Sequence, residues 1–328
     1  MAAIHDDPES DDPRLAWADW LTAQGNPWGE VVRTAVGLAA RSRPPSRALL
    51  AAQRQHLAAG LGPLAAVLSD DVDDLAFERR TLAGGVLVRA VPAALVADPR
   101  WRGVRWLHAR DGGSPQGLLR DGRLDQLVSL RNLPIDAVAE LAAWPVAARL
   151  RALSAFADGA HRKHLTPALL EPFGALERFA LHDLGDDDDD DGEAGAERVH
   201  GWLARSKLAR QRLRRIGVRP GHQIAMALAE RPRFPALEAV RFDSLELVYA
   251  GRGAQLFFFA TSAWLEGKIA AMKIPTGAIT TVEIDARVVD RHKDGRAAMK
   301  ALAARLGARL TIHAKPRFRT HLERWDWD

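Results

Sequence analysis

The chain has 328 residues, 47% of them hydrophobic: too apolar for a disordered segment and longer than one ordinary compact core. It has no cysteine, which excludes disulfides, cysteine-ligated zinc and thiol catalysis. Basic residues outnumber acidic ones by 46 to 42, a formal net charge of +4, and so small an excess does not by itself argue for nucleic acid.

The first residues, MAAIHDDPESDDPR, are acidic and lack the basic start and apolar core of a signal peptide. No apolar run reaches the roughly 18–20 residues of a membrane helix. A cytoplasmic location with no membrane partner is the expectation. The segment Asp11–Thr34 then opens on Asp-Pro, a helix start, with Leu15, Trp17, Ala18 and Leu21 on an apolar stripe. Trp17 and Trp20 read as core. Gly25-Asn26-Pro27 ends that helix, a second begins near Val31 and Val32, and Arg47–Gly62 reads as a third.

These residues carry a resemblance. Asp11, Arg14, Leu15, Ala18, Asp19, Trp20 and Leu21, followed by Gly25, Asn26, Pro27, Gly29 and Glu30, are similar to the core of the bacterial repeat-companion domain. The likeness is specific over about 25 residues. It implies a short helical module ahead of a leucine-rich-repeat-like array and an interaction role. It implies no activity. The expected organisation is a helical cap over 1–80 and an irregular array over 81–328, with the first strand near Val86 and Val88.

From there a six-residue pattern, L-x-x-L-x-L with L apolar, recurs. It is met by Val104, Leu107 and Ala109, then by Leu124, Leu127 and Ser129, and by Leu150, Leu153 and Ala155. It continues with Leu176, Phe179 and Leu181, Leu213, Ile216 and Val218, Leu237, Val240 and Phe242, and Ile279, Val282 and Ile284. A partial copy holds Leu310 and Ile312. First residues are spaced 20, 26, 26, 37, 24 and 42 apart, against roughly 20–29 for leucine-rich repeats. The interval of 37 contains the aspartate tract Asp186–Asp191, read as a loop insertion near 186–197. The interval of 42 contains two apolar runs around Gly251-Arg252-Gly253, a hairpin signal. Segments between the strands read helical: 135–145, 166–174, 197–207, 224–232 and 295–307. The predicted fold class is α/β, a leucine-rich-repeat-like solenoid of parallel strands alternating with helices behind an N-terminal helical cap. Its repeat is irregular, because only Asn132 occupies the asparagine position of a regular repeat.

Chemistry-bearing motifs are sparse. Consecutive aspartates lack the spacers of a calcium loop. His161, His164 and His182 with Asp183 match no zinc spacing, Gly251-Arg252-Gly253 is not a phosphate loop, and there is no nucleophile elbow. No catalytic set, cofactor or metal is expected. The function expected is a non-enzymatic protein–protein interaction scaffold binding through the concave sheet. Its partner-binding residues are Trp106, Phe156, Arg178, Arg215, Arg219 and Arg241, at outward positions of the strands, with the protein partner unidentified. The second reading is a nucleic-acid-binding array using the arginine-rich segment 205–219.

Overall fold

The computed structural model describes residues 12–39, 47–69, 75–78, 81–110, 113–120, 124–157, 162–183, 199, 201–219, 224–242, 245–251, 253–259, 274–290 and 294–314. The aspartate tract and the two C-terminal tryptophans lie outside them. The chain is mixed α/β, and its contacts divide it into two compact units, 1–130 and 131–328. In each, the strands lie side by side in chain order.

The first unit holds helices Asp12–Ala23, Trp28–Ala39 and Arg47–Leu61. Several residues of the motif at its start have a local physical task. Gly25 sits at φ +65° to turn the chain out of the first helix. The Asn26 side-chain oxygen then accepts the backbone N–H of Trp28, at 3.0 Å, and starts the second. Gly29 lies where the two helices meet: a Cβ there would stand 2.2 Å from Thr22 Oγ1 and 2.6 Å from the Ala18 carbonyl. Arg33 bridges Asp19 and Glu30 at 2.8 and 2.7 Å. Ala18, Leu21 and Val31 are buried, whereas Trp20 is 44% exposed, so Trp20 is surface rather than core.

Three strands follow: β1 (Leu75–Glu78), β2 (Thr81–Leu87) and β3 (Trp106–Ala109). β1 pairs antiparallel with β2, and β2 pairs parallel with β3. Asp98 ties the turn before β3 to the end of the third helix. Its carboxylate accepts two hydrogen bonds from the Arg100 side chain, at 2.6 and 2.8 Å, and Arg100 donates to the Leu61 carbonyl.

The fourth strand, β4 (Ser129–Pro134), spans the unit boundary. The second unit continues with β5 (Ala152–Ala157), β6 (Arg178–Asp183), β7 (Arg215–Arg219), β8 (Ala239–Arg241), β9 (Leu245–Ala250), β10 (Gly253–Phe258), β11 (Ile279–Asp285) and β12 (Arg309–His313). β5 through β8 run parallel. β9 and β10 form the expected hairpin, with Gly253 opposite Ala250 and Gly251 at φ +58°. β10, β11 and β12 are again parallel. One row of side chains, Leu153, Phe179, Ile216, Val240, Leu247, Leu256 and Val282, is in register across seven strands and buried throughout. Connecting helices pack on this side, Ile135–Leu141 against β5 and Gly295–Leu306 against β11 and β12.

A backbone device recurs at four of the copies. The carbonyl just before a strand accepts two successive N–H groups of the next: Arg151 takes Glu177 and Arg178, Glu177 takes Arg214 and Arg215, Arg214 takes Glu238 and Ala239. Arg105 takes Val128 and Ser129 in the same way. That last bond corrects the expected register of the second copy. Ser129, not Gln126, stands opposite Trp106, the true opening residues are Leu127 and Leu130, and Leu130, expected outward, is fully buried. The cause is an extra buried apolar residue three positions ahead of several copies, at Trp101, Ala147, Phe173 and Phe234. Leu124 is its equivalent here, so a pattern of period three fits twice. Corrected, the first two intervals are both 23 residues.

Two other expectations change. The segment 166–174 forms turns rather than a helix, since Pro167 and Pro172 break any helical run. Asn132 is not a repeat-end asparagine. It lies inside β4 at φ +57°, the one non-glycine with positive φ among the described residues, and donates its N–H to Ser154 Oγ at 2.8 Å.

Candidate binding face

Opposite the buried row, the sheet of the second unit presents a mixed surface. Period-two alternation makes it: in β5, Leu153, Ala155 and Ala157 are buried, while Ala152, Ser154 and Phe156 are half-buried on the other side. Register then aligns the outward positions in rows. The first runs Ala152, Arg178, Arg215, Ala239, Val248, Gln255, Thr281 and Arg309. The second runs Ser154, Ala180, Gly217, Arg241, Glu246, Phe257, Glu283 and Thr311. A third begins Phe156, His182 and Arg219.

The sequence-predicted residues are placed as follows. Arg178 is exposed and stands opposite Arg215, which is half-buried. Burial, then the Arg215 charge, lowers the pKa of Arg178. Phe156 is half-buried opposite His182, and Arg219 is paired with His182 at the far end of β7. Arg241 places its guanidinium 4.4 Å from the ring centroid of Phe259. Trp106 belongs to the first unit. It is half-buried opposite Gly84, where a Cβ would stand 2.2 Å from the indole, so glycine lets the ring lie against the neighbouring strand.

The arginine-rich segment 205–219 is not one surface. Arg210 and Arg212 bond to the Ser206 and Gly174 carbonyls, at 3.4 and 2.6 Å, from helix Lys207–Arg212. Only Arg215 and Arg219 reach the outward rows. Arg214 sits one residue ahead, in a ladder of alternating charge along the strand starts: Arg151, Glu177, Arg214 and Glu238. Arg151 lies 3.6 Å from Glu177, and Arg214 pairs with Glu238. Together with Arg212 they line a cavity of about 550 Å³.

Sequence reasoning missed a polar and aromatic cluster on the late strands. Glu246 and Glu283 are buried two strands apart, with Phe257 between them in the row. His313 lies 2.8 Å from Glu283 and stacks on Phe257, with centroids 6.0 Å apart. The signal was present in the alternation of Leu245, Leu247 and Tyr249 with Glu246 and Val248, once the two runs are paired as a hairpin.

Among the described residues, no group of three or more histidine, aspartate and glutamate side chains is arranged to hold a metal ion, and no helix is long and apolar enough to cross a membrane. No protein-family model matches the chain. No curated protein and no solved structure matches it either.

Proposed function

We propose that this chain is a non-enzymatic protein–protein interaction scaffold: a leucine-rich-repeat-like array behind a repeat-companion-like helical module, acting in the cytoplasm. The repeated two-N–H-to-one-carbonyl device before β4, β6, β7 and β8 supports the repeat reading. The binding reading is carried by one observation. The outward side of β5 to β8 sets Phe156 and two register-paired arginines, Arg178 and Arg215, beside half-buried Ser154 and the buried small residues Ala180 and Gly217. Arginine and aromatic side chains beside small residues suit an interface centre.

Protein is favoured over nucleic acid because carboxylates are interleaved with the arginines. Glu177 and Glu238 flank Arg178 and Arg215, and Glu246 lies opposite Arg241. A phosphodiester backbone crossing these strands meets both signs.

The test is capture from a nuclease-treated native extract with the wild-type chain, Phe156→Ala and Arg215→Glu, with Trp106→Ala tested separately for the first unit. Loss of the same protein from the two variants of the second unit, with no fall in melting temperature, is the expected result. Capture indifferent to both overturns the reading. Direct binding of oligonucleotide with a steep salt dependence replaces it with the second one.

A further inference from the structure

The residues just ahead of β5, β6, β7 and β8 are Arg151, Glu177, Arg214 and Glu238. They stand side by side, one strand spacing or about 4.8 Å per step. Their charges alternate, and the row ends at Tyr249, whose N–H bonds to the Glu238 carbonyl. Pairs within the chain join the four two by two: Arg151 lies 3.6 Å from Glu177, and Arg214 pairs with Glu238. Each side chain nevertheless keeps between 35% and 64% of its surface in solvent. Exposed pairs of this kind contribute little by themselves, so a second set of opposite charges can share these four side chains at small cost. The cavity of about 550 Å³ along the row leaves room for groups from outside.

An alternating row of even length is its own complement: read backwards, plus-minus becomes minus-plus. Turned about a two-fold axis between Glu177 and Arg214, the row meets an opposite charge at every step. Arg151 faces Glu238 of the second copy, Glu177 faces Arg214 of the second copy, and each contact occurs twice. A partner of one sign, such as nucleic acid or an acidic peptide, meets as many like charges as opposite ones. A matching surface must alternate at the same spacing, and this chain carries one. Arg212 lies beside the row rather than in it, its guanidinium bonded to the Gly174 carbonyl at 2.6 Å.

We propose that the row at the strand starts is an isologous interface through which two copies of this chain associate. The association stands apart from the partner-binding reading, since it needs no other protein. Its contacts are ionic and exposed, so the dimer is weak and salt-sensitive.

Sedimentation of the full chain over a concentration series tests this, with one population carrying a fluorescent label to detect mixed dimers. The expected result is a monomer–dimer equilibrium whose dissociation constant rises at least about tenfold between roughly 0.05 and 0.5 M salt. Arg151→Glu sets two carboxylates against each other across the axis and is expected to weaken the dimer at least about tenfold. Adding Glu238→Arg restores opposite charges across the axis while making both pairs within the chain like-charged. Recovery of the dimer in that double variant is expected, and a row serving the chain alone predicts none. The fourfold exchange Arg151→Glu, Glu177→Arg, Arg214→Glu, Glu238→Arg keeps every pair within the chain. It is expected to melt as wild type does and to dimerise with itself, but not with wild type, where all four contacts become like-charged. A monomer at every concentration, a dimer indifferent to Arg151→Glu, or mixed dimers as stable as pure ones overturns the interface.

Discussion

The two sides of the sheet in the second unit obey different rules. On the helix-covered side one row holds leucine, phenylalanine, isoleucine and valine without interruption, all buried. On the other side, neighbouring positions carry alanine, arginine, glycine, phenylalanine and glutamate. The first row answers to one requirement, removal of apolar area from water, which contributes about 25 cal/mol per Å². The second answers to several that do not share a period. Substitutions on the two sides therefore have unequal effects, and that inequality can be measured.

The largest effect belongs to the covered row. Leu153→Asp and Phe179→Asp each bury a carboxylate among apolar neighbours, and each is expected to cost more than about 4 kcal/mol and abolish cooperative unfolding. Near-wild-type denaturant midpoints for both would erase the distinction between the two sides.

An enclosed polar group with a satisfied partner tests whether polarity or exposure sets the difference. Asp98 in the first unit is 13% exposed, and its hydrogen bonds from Arg100 hold its pKa below the ordinary carboxylate value. Asp98→Asn is expected to destabilise by about 1–3 kcal/mol near neutral pH. The sign of the pH dependence follows from the lowered pKa. Stabilisation is present above the unfolded carboxylate pKa and is lost as pH falls through the folded one. The gap between wild type and variant should narrow in acid, and a gap that widens there refutes the assignment.

Tyr249 is a smaller case on the late strands. Its hydroxyl donates to the Ala227 carbonyl at 2.7 Å, and Arg231 lies 4.9 Å from its ring centroid. Tyr249→Phe is expected to cost about 1 kcal/mol. Burial raises the phenol pKa well above its usual value, so its contribution is present below pH ~10 and is lost as pH rises. The chain has a single tyrosine, so phenolate absorbance reads this group alone. It should remain unionised until the protein unfolds, and an ordinary titration near pH ~10 in the folded protein would contradict the burial.

The smallest effect has the opposite sign. Arg215→Glu replaces a like-charge pair with Arg178 by an opposite-charge pair, and is expected to stabilise by about 0.2–1 kcal/mol while weakening partner binding. Destabilisation beyond about 1 kcal/mol would mean that Arg215 is structural.

The covered row was legible in the sequence because burial repeats every two residues along a strand and the same pattern recurs at each copy. Where it was misread, at Leu124 and Leu127, a second apolar position three residues earlier satisfied the same template, and only the hydrogen bonds from Val128 and Ser129 to Arg105 separate the two. The hairpin was legible from Gly251 and Gly253 between apolar runs. Its effect on neighbours was not: Arg241 and Glu283 hold the same position in consecutive copies of the pattern, yet Glu246 and Phe257 lie between them. The arginines of the open side were named from register alone. The pairing of Glu283 with His313 was not, because it joins residues 30 apart on strands whose alignment depends on the helix between them.

The hairpin has a consequence that can be put as parity. β8 to β9 reverses the chain, β9 to β10 reverses it again, and β11 resumes the original direction beside β10. An even number of reversals leaves the polarity unchanged, so a parallel crossover can follow as though nothing had been inserted. What does change is position. Thr281 and Glu283 lie three strand spacings, about 14 Å, from Ala239 and Arg241, the residues whose rows they share, instead of one. The pair β9–β10 is thus a spacer that sets the distance between Arg241 and Glu283 on one face while leaving the order and direction of everything else intact.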